Sequence, residues 1–471
     1  MLLSAGVGVL YDSPDRGSFI VSSIITFIFG FVGLLFGRHA EREVDEREGY
    51  VIVASVWVVF TLFGLLPYYL SGVIPDYTDA WFETMSGFTT TGATILRDVE
   101  QLTPAAHFWR SLTQWFGGMG IVVLCVALLP LFGLGGMQLY SAEMNGLSYE
   151  KIAPRIADTA KYLWFTYFII TLFEVTLLWI EGMSLFDAVC HSLTTVSTGG
   201  FSTKNLGIGH YSNPLIHYTV IGFMIIAGLN QALIIFAFRG QRRRILQDEE
   251  TKWFIRSIII FSIFISACLF IQNIGKVSSI NSFIRAVERS LRLGFFTTTS
   301  TITGTGFLLI DYLKWPSILW TTLFFLMCTG ASSGSTSGGI KWIRLMIFFK
   351  SGITEFKKRI HPNAIIPVKI NNRAITQQTT NNVMAYVVFY LLIVIVATLV
   401  FCGLGINFDE AFATAFSSIN NVGPAIGKYG PTNNFASFPT RGKWVMTLVM
   451  LIGRLEIFTV LLLFTPILWK K

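Results

Sequence analysis

The chain carries four copies of one short pattern, in which a mostly apolar segment of about 12 residues leads into a turn rich in threonine, serine and glycine. The turns contain Gly92, Gly199, Gly306 and Gly423, and successive glycines are 107, 107 and 117 residues apart. Solenoid repeats have a period of only about 20–50 residues. The longer period here fits two long apolar segments plus a short one. We therefore predict four copies of a unit made of a helix, a half-helix, a turn and a second helix.

The short segments are too short to cross a membrane. A helix of about 12 residues is about 18 Å long, whereas the hydrocarbon core of a bilayer is about 30 Å thick. A segment such as 186–193 can therefore enter the bilayer, but it must turn back as non-helical backbone, which is tolerated at that depth only inside protein or beside water. Small residues and free carbonyl groups in such a turn are typical of an ion filter.

The composition indicates an integral membrane protein. Of the 471 residues, 53% are hydrophobic and 13% are charged, whereas soluble domains have about 25% charged residues. The net charge of +8 fits basic cytoplasmic loops better than nucleic acid, and we expect no nucleic-acid partner. The five cysteines show neither zinc nor disulfide spacing, so we expect buried thiols: Cys125, Cys190, Cys268, Cys328 and Cys402.

The apolar segments divide the chain into an N-terminal helical segment and four pore units, at 1–48, 49–133, 159–240, 252–350 and 381–471. Spanning helices are predicted at 18–37, 50–70, 107–132, 161–180, 214–238, 254–271, 318–349, 383–404 and 444–469. The predicted fold is an all-α membrane protein, in which four helix–pore-half-helix–helix pseudo-repeats surround a central ion pore. An extra helix precedes the first repeat.

Basic residues are concentrated in the loops between units, for example Arg242, Arg243 and Arg244 after the second unit. The positive-inside rule places such loops in the cytoplasm, so the turns are predicted to face outward. All four units then have the same orientation, unlike the inverted repeats of many secondary transporters. Four turns around one axis would present rings of backbone carbonyl groups to a dehydrated cation. The half-helices would point their partly negative ends at it.

A second stretch of small residues, 329–339, interrupts the apolar segment at 318–349. Glycine and serine are poor helix formers, so this stretch predicts either an unwound loop inside the membrane or a small-residue face that packs against a neighbouring helix. Arg454 lies deep in the last apolar segment, where a charge needs water or a partner. It predicts either a structural pair with a carboxylate such as Glu456 or Glu174, or a cation in the ion pathway. Other polar residues inside apolar segments are interpreted as links between pore helices (Glu83, Glu174, His191) or as an interfacial anchor (Arg110).

The turns at 89–94, 196–201, 305–307 and 420–424 resemble the four filter segments of the Trk/Ktr/HKT superfamily of potassium transporters, and the resemblance extends over 18–469. It implies potassium uptake through a channel-like pore, with K+ as the transported and filter-bound ion. In this superfamily, glycine in all four filters accompanies potassium selectivity, whereas serine in the first accompanies sodium permeation. Gly92 therefore implies potassium.

The resemblance also implies which residues act. The filter would contain Thr90, Thr91, Gly92, Val196, Ser197, Thr198, Gly199, Gly304, Thr305, Gly306, Asn421, Val422 and Gly423. Backbone carbonyl groups of Thr91, Thr198, Thr305 and Val422 would hold the potassium ion. The gate would contain Gly330, Ser333, Gly334, Ser335, Thr336, Gly338 and Arg454.

The partners implied by the resemblance are a second copy of the chain, in a homodimer, and a cytosolic regulatory subunit that binds NAD or ATP. The chain has no phosphate-binding glycine loop of its own, so nucleotide regulation would come from that subunit. The location implied is the inner, or plasma, membrane. Two other functions would require different sequence features. A cation-coupled transporter of a small organic solute would show inverted repeats, and a membrane-embedded enzyme would need a nucleophile–base or metal-ligand cluster, which the sequence does not show.

Overall fold

The computed structural model describes residues 1–39, 45–120, 156–276, 279–364 and 366–466. Most of these residues are helical. The strands within them form one small antiparallel hairpin, β1 (Lys369–Ile370) and β2 (Arg373–Ala374). The predicted all-α class is therefore confirmed.

Two helices precede the repeats, α1 (Leu2–Leu10) and α2 (Arg16–Phe36). The first repeat contains α3 (Glu46–Gly64), α4 (Leu66–Ser71), the half-helix α5 (Tyr77–Phe88) and α6 (Pro104–Met119). The second contains α7 (Ile156–Ile180), the half-helix α8 (Leu185–Val196), α9 (Pro214–Gly228) and α10 (Gln231–Phe238). The short helix α11 (Arg243–Gln247) connects it to the third repeat.

The third repeat contains α12 (Glu249–Asn273), the pore helix α13 (Ile280–Ile302), α14 (Ser317–Leu326) and α15 (Trp342–Ile360). The fourth contains α16 (Gln377–Gly403), the half-helix α17 (Phe408–Asn420), α18 (Thr440–Arg454) and α19 (Phe458–Leu463). A short 3-10 turn follows each filter turn, at Val99–Gln101, Gly207–His210, Tyr312–Lys314 and Gly427–Tyr429. The unit limits given above remain predictions, and 121–133 and 467–471 lie outside the described residues.

The half-helices begin at residues suited to a helix N-terminus. The side chains of Asp76 and Ser184 accept a hydrogen bond from the backbone N–H three residues on, and Ser279 forms a capping box with Ser282. Such caps satisfy N–H groups that have no partner within the helix. The fourth half-helix instead carries two acidic residues in its first turn, which interact favourably with the helix dipole. The local sequence therefore fixes where each pore helix starts. The third one, α13, has 23 residues and is thus longer than the half-helix of about 12 residues that the pattern predicted.

Five helices among the described residues are long and apolar enough to span a membrane: Arg16–Phe36, Arg47–Ser71, Asp158–Ile180, Glu249–Asn273 and Gln377–Gly403. In Arg16–Phe36 only 11% of the most apolar window is buried within the protein, so this helix presents its side chains to lipid. The bent pair α9 and α10 would make a sixth span.

Besides the span predicted at 318–349, which is interrupted between α14 and α15, two other predicted spans are broken among the described residues. The span predicted at 214–238 bends by 103° between α9 and α10, because Asn230 caps the backbone N–H of Ala232 and starts a new helix. Gly228 O accepts a bond from Ser332 N, and Gln231 N donates to Gly334 O, so the backbone groups freed by the bend remain satisfied. The span predicted at 444–469 ends as a continuous helix at Arg454, and its residues 467–469 lie outside the described part of the chain.

The repeats pack in a closed ring. The second helix of each repeat contacts the pore helix of the next, through α6 with α8, α9 with α13, and α18 with α5. Between the third and fourth repeats, Phe324 of α14 stacks on Phe416 of α17, with ring centroids 4.7 Å apart. This arrangement brings the C-terminal ends of all four pore helices to one place.

Candidate functional site

The four turns share one backbone conformation. The first left-handed residue of each turn is Thr90, Thr198, Gly304 or Asn421, with φ of 53°, 53°, 71° and 53°. Two residues later the backbone is left-handed again, at Gly92, Gly200, Gly306 and Gly423, with φ of 78°, 76°, 73° and 100°. Left-handed backbone favours glycine. Gly200, rather than Gly199, is therefore equivalent to the other three glycines, and the predicted alignment is wrong by one residue in the second turn.

The four turns close into a ring in which each of these glycines faces a carbonyl oxygen of the neighbouring turn. A Cβ atom on the glycine would lie only 1.9–2.6 Å from that oxygen, in the pairs Gly92–Gly199, Gly200–Thr305, Gly306–Val422 and Gly423–Thr91. The same four glycines border one cavity of about 170 Å³. The turns thus meet around a common space, as the fourfold pattern predicted.

The carbonyl groups in this ring belong to Thr91, Gly199, Thr305 and Val422. Thr198, which belongs to the predicted ion-binding set, precedes the ring residue Gly199, and its carbonyl group is not part of this ring. The Thr198 hydroxyl instead bonds with Ser197 O and lies 3.2 Å from the hydroxyl of Thr336.

A buried glutamine supports the second turn, and sequence reasoning missed it. Gln114 on α6 is fully buried; its Nε2 donates to Gly199 O at 2.6 Å, and its Oε1 accepts from Phe201 N at 3.0 Å. A carbonyl oxygen has two lone pairs, so the bond to Gln114 leaves one available to an ion. The fourth turn is bound to the first in a similar way, since Asn421 Nδ2 donates to Thr91 Oγ1 at 2.9 Å.

A buried ion pair joins the first two turns from the outer side. Glu83 and Arg110 lie 2.7 Å apart, with side chains 0% and 4% exposed. Glu83 also accepts from Ile95 N, and Arg110 donates to Ser202 O and lies over the ring of Phe201. The link predicted for Glu83 is confirmed. The prediction of Arg110 as an interfacial anchor is wrong, because its partner is a carboxylate 27 residues away in the sequence.

The hydrogen bonds of His191 stay within its own repeat, because its ring nitrogens bond with Asp187 O of the same helix at 2.8 Å and with Ser202 Oγ of the following turn at 2.9 Å. They do not form the predicted link to a neighbouring pore helix. Glu174 is fully buried on α7. Its carboxylate interacts with the side chain of Thr195 on the pore helix α8, but without an ordinary hydrogen bond. The link predicted for it is therefore a long contact.

The stretch of small residues forms a non-helical loop, which we call the intramembrane loop (327–341, between α14 and α15). Its two arms bond to each other, since Gly330 N donates to Ile340 O at 2.8 Å. Thr336 Oγ1 donates to Val196 O at 3.2 Å, and Gly338 lies against Asn420 and Asn421. Of the two interpretations left open above, the unwound loop is therefore correct. It lies directly beneath the turns.

Arg454, the last residue of α18, joins the intramembrane loop to the first repeat. Its Nη1 donates to Thr336 O at 2.5 Å and to Thr90 Oγ1 at 3.3 Å. Its Nη2 donates to Gly117 O at 2.5 Å and to Gly118 O at 2.8 Å. Glu456, one of the carboxylates considered as its partner, pairs with Arg344.

The position of Arg454 corresponds to a glycine in the other repeats. Gly118, Gly228 and Gly338 each lie against the start of the next repeat's turn, at Ser197, Thr303 and Asn420. Arg454 follows Gly453, which packs on Ile419 O as Gly117 packs on Phe88 O. Three quarters of the ring thus carry a glycine packed closely on the next turn at this position, and the fourth carries a guanidinium group.

The predicted filter and gate residues therefore come together. Ser333 and Ser335 bond to residues outside the predicted set, Glu250 and Lys341. The sequence did not predict these contacts, because neither Glu250 nor Lys341 belongs to a recognisable motif. Among the described residues, no group of three or more His, Cys, Asp or Glu side chains is placed to hold a metal ion.

Comparisons with known proteins agree with this architecture. A family model named TrkH and described as "Cation transport protein" matches residues 16–471. The Trk system potassium uptake protein TrkH of Salmonella typhimurium is 37% identical over 475 residues, covering 100% of this chain and 96% of the relative. The Trk system potassium uptake protein TrkG of Escherichia coli is 32% identical over 476 residues, covering 100% of this chain and 95% of the relative.

A solved structure is also similar. The crystal structure of the potassium transporter TrkH from Vibrio parahaemolyticus matches with a TM-score of 0.87 and 32% identity, covering 100% of this chain and 96% of that one. Together with the long apolar helices, these matches identify a multi-pass protein of the plasma membrane. The extent of the family match, the relatives' identity and the shared fold show that this chain belongs to the TrkH family of cation transport proteins.

Proposed function

We propose that this protein takes up potassium across the plasma membrane through a channel-like pore. The ring of Thr91, Gly199, Thr305 and Val422 would form the filter, with the carbonyl oxygens replacing the hydration shell of K+. The observation that carries the proposal is the closed contact of each ring glycine with the next turn's carbonyl oxygen. The names of the relatives as potassium uptake proteins support the choice of ion.

In this proposal the intramembrane loop and Arg454 form the gate. The loop contacts the second turn through Thr336, and Arg454 contacts the first turn through Thr90. A cation held directly below a filter opposes the passage of another cation by like-charge repulsion. The driving force would be the membrane potential, worth about 2.3 kcal/mol per charge for each 100 mV.

Rubidium uptake into proteoliposomes tests the ion and the pore. We expect uptake driven by a negative internal potential, with K+ competing strongly and Na+ weakly. Equal competition by the two ions would contradict a potassium filter. A cation-coupled transporter of an organic solute is the alternative, and it would need that solute for ion flux, so uptake in solute-free buffer would exclude it.

Gln114 provides a test of the filter. Replacing it with leucine, which has a similar volume, removes both bonds to the second turn and leaves Phe201 N without its partner. An unsatisfied buried group costs about 1–3 kcal/mol, so we expect the turn to relax. The ratio of Rb+ to Na+ uptake should fall about tenfold, the effect of about 1.4 kcal/mol. An unchanged ratio in a folded variant would show that Gln114 does not support selectivity.

The intramembrane loop provides a test of the gate. Deleting 334–336 removes Thr336 and with it the contacts to Val196 and Arg454. We expect a higher Rb+ flux because the space below the filter opens. Unchanged or lower flux in a monodisperse, helical variant would count against gating by the loop.

We propose that the protein acts as a homodimer with a cytosolic NAD- or ATP-binding regulatory subunit of the TrkA type. The basic inner surface, which includes Arg242 and Arg243 near α11, suits an acidic partner surface. Mass measurement of the purified protein by light scattering tests the dimer. Binding of the purified subunit at low and high salt tests the charged surface, and salt-independent binding would contradict it.

A further inference from the structure

One buried carboxylate at the cytoplasmic end of the bundle binds the intramembrane loop. Glu250 lies in the first turn of α12 and is 4% exposed. Its Oε1 accepts from Ser333 N at 2.7 Å, and its Oε2 accepts from the Ser333 hydroxyl at 2.8 Å. A buried charge is stable only when it is well bonded, and the loop supplies these bonds. The contact therefore restrains the loop at a residue 83 positions away in the sequence.

The same carboxylate binds the other end of the loop. Glu250 Oε1 also accepts from Ile343 N at 3.1 Å, in the first turn of α15. The first N–H groups of a helix have no partner within the helix, and a negative charge there interacts favourably with the helix dipole. Lys341, the N-cap residue of α15, offers no side-chain cap. Glu250 therefore takes the place of a cap and holds both ends of the segment 333–343 together.

The first turn of α12 is bound on its other side to the β1–β2 hairpin. Glu249 N donates to Asn371 Oδ1 at 2.7 Å, and Asn371 N donates to Glu249 Oε2 at 3.1 Å. Asn371 Nδ2 donates to Asp248 Oδ1 at 2.9 Å. The hairpin, the start of α12 and the start of α15 line one cavity of about 950 Å³, which is bordered by Glu250, Ile343 and Asn371. The three consecutive acidic residues Asp248, Glu249 and Glu250 thus connect the hairpin to the loop, because the first two bond to Asn371 and the third bonds to Ser333.

We infer that Glu250 is a positioning residue that fixes the intramembrane loop beneath the filter and couples its position to the β1–β2 hairpin. The effect on flux rests on the proposed function of the loop as a gate. The effect on loop position does not, so the two can fail separately. Bonds to backbone N–H groups at both ends of the segment distinguish Glu250 from an ordinary helix cap, which bonds within its own helix.

The first measurement is Rb+ flux in proteoliposomes. Glu250→Ala removes all three bonds, and we expect about a tenfold rise in flux, the effect of about 1.4 kcal/mol. The Rb+ flux of Glu250→Gln should stay close to that of the unaltered protein. The amide oxygen can accept from both N–H groups, and the amide nitrogen can donate to the Ser333 hydroxyl. Glu355→Ala, which removes an exposed carboxylate from α15, is the matched control and should leave the flux unchanged.

The second measurement reports the position of the loop directly. In a variant whose five cysteines are replaced, Ser335→Cys is labelled with a water-soluble thiol reagent from the cytoplasmic side. We expect Glu250→Ala to increase the labelling rate about tenfold, with little change in Glu250→Gln. If Glu250→Ala does not fold, Ser333→Ala removes only the hydroxyl bond and should increase labelling by a few-fold.

The possible outcomes distinguish the positioning role of Glu250 from the role of the intramembrane loop as a gate. Unchanged labelling in the alanine variants would overturn the inference, whatever the flux does. Equal effects of Glu250→Ala and Glu250→Gln would also overturn it, because charge rather than bonding would then matter. Increased labelling without increased flux would support the positioning role and contradict the loop as a gate. The deletion of 334–336 should then leave the flux unchanged as well.

Discussion

Replacing Gly200 with alanine should reduce Rb+ uptake by at least about 100-fold, the effect of about 2.7 kcal/mol. The new Cβ atom would lie 1.9 Å from Thr305 O, a ring carbonyl of the next turn. Gly200 also has φ of 76°, which is unfavourable for alanine. Either the second turn changes conformation or the third moves away. In both cases the ring that would bind the ion is broken.

The control for this variant is Gly222→Ala in α9, because a Cβ atom there would meet nothing within 4 Å. We expect normal uptake from it. Uptake should be measured on proteoliposomes with equal amounts of monodisperse protein, so that a loss of folding is not scored as a loss of transport. Normal uptake by Gly200→Ala would mean that the ring of four turns is not the ion pathway.

Replacing Arg454 with alanine should raise Rb+ flux by about tenfold or more, the effect of at least about 1.4 kcal/mol. The guanidinium group donates to Thr336 O, Gly117 O and Gly118 O. Without it, the intramembrane loop loses its bond to the fourth repeat, and the space below the filter loses a positive charge. Both changes favour passage of a cation. The selectivity for Rb+ over Na+ should remain, because the ring itself is untouched.

Arg441→Ala is the matched control for Arg454→Ala, because Arg441 lies in the first turn of the same helix and is exposed. Its flux should equal that of the unaltered protein. A fall in the thermal midpoint of Arg454→Ala, with no rise in flux, would assign Arg454 a structural role instead. Flux should therefore be compared with thermal stability in detergent.

Much of the fold could be predicted from the sequence, because the pattern of a pore helix followed by a turn occurs four times along the chain. The sequence could not decide whether Gly199 or Gly200 is equivalent to the glycines of the other three turns. Two glycines are adjacent in the second turn, and both fit a pattern read from one sequence. The backbone torsions decide between them, since Gly200 has the left-handed conformation that the other three turns place at the same step. The four turns were thus predictable, but the residue register within the second turn was not.

The breaks in the inner helices could not be predicted from apolarity. The segment around Leu229 is apolar on both sides of the polar pair Asn230–Gln231, and the chain bends there by 103°. The backbone groups freed by the bend bond to Ser332 and Gly334 of another repeat. Contacts of this kind depend on the assembled structure. The same holds for Arg110, whose position in the sequence suits an interfacial anchor but whose partner, Glu83, becomes a neighbour only on folding.

Arg454 occupies a position that is glycine in the other three repeats. This difference suggests a reason why the four repeats belong to one chain. Four identical subunits would place four loops and four guanidinium groups in the same narrow space, where they would collide and repel one another. Covalent fusion lets the quarters diverge. The third supplies the intramembrane loop, the fourth supplies Arg454, and the first supplies Gln114, which bonds to the second turn. Four repeats in one chain can differ in sequence in this way, whereas the four identical subunits of a homotetramer cannot.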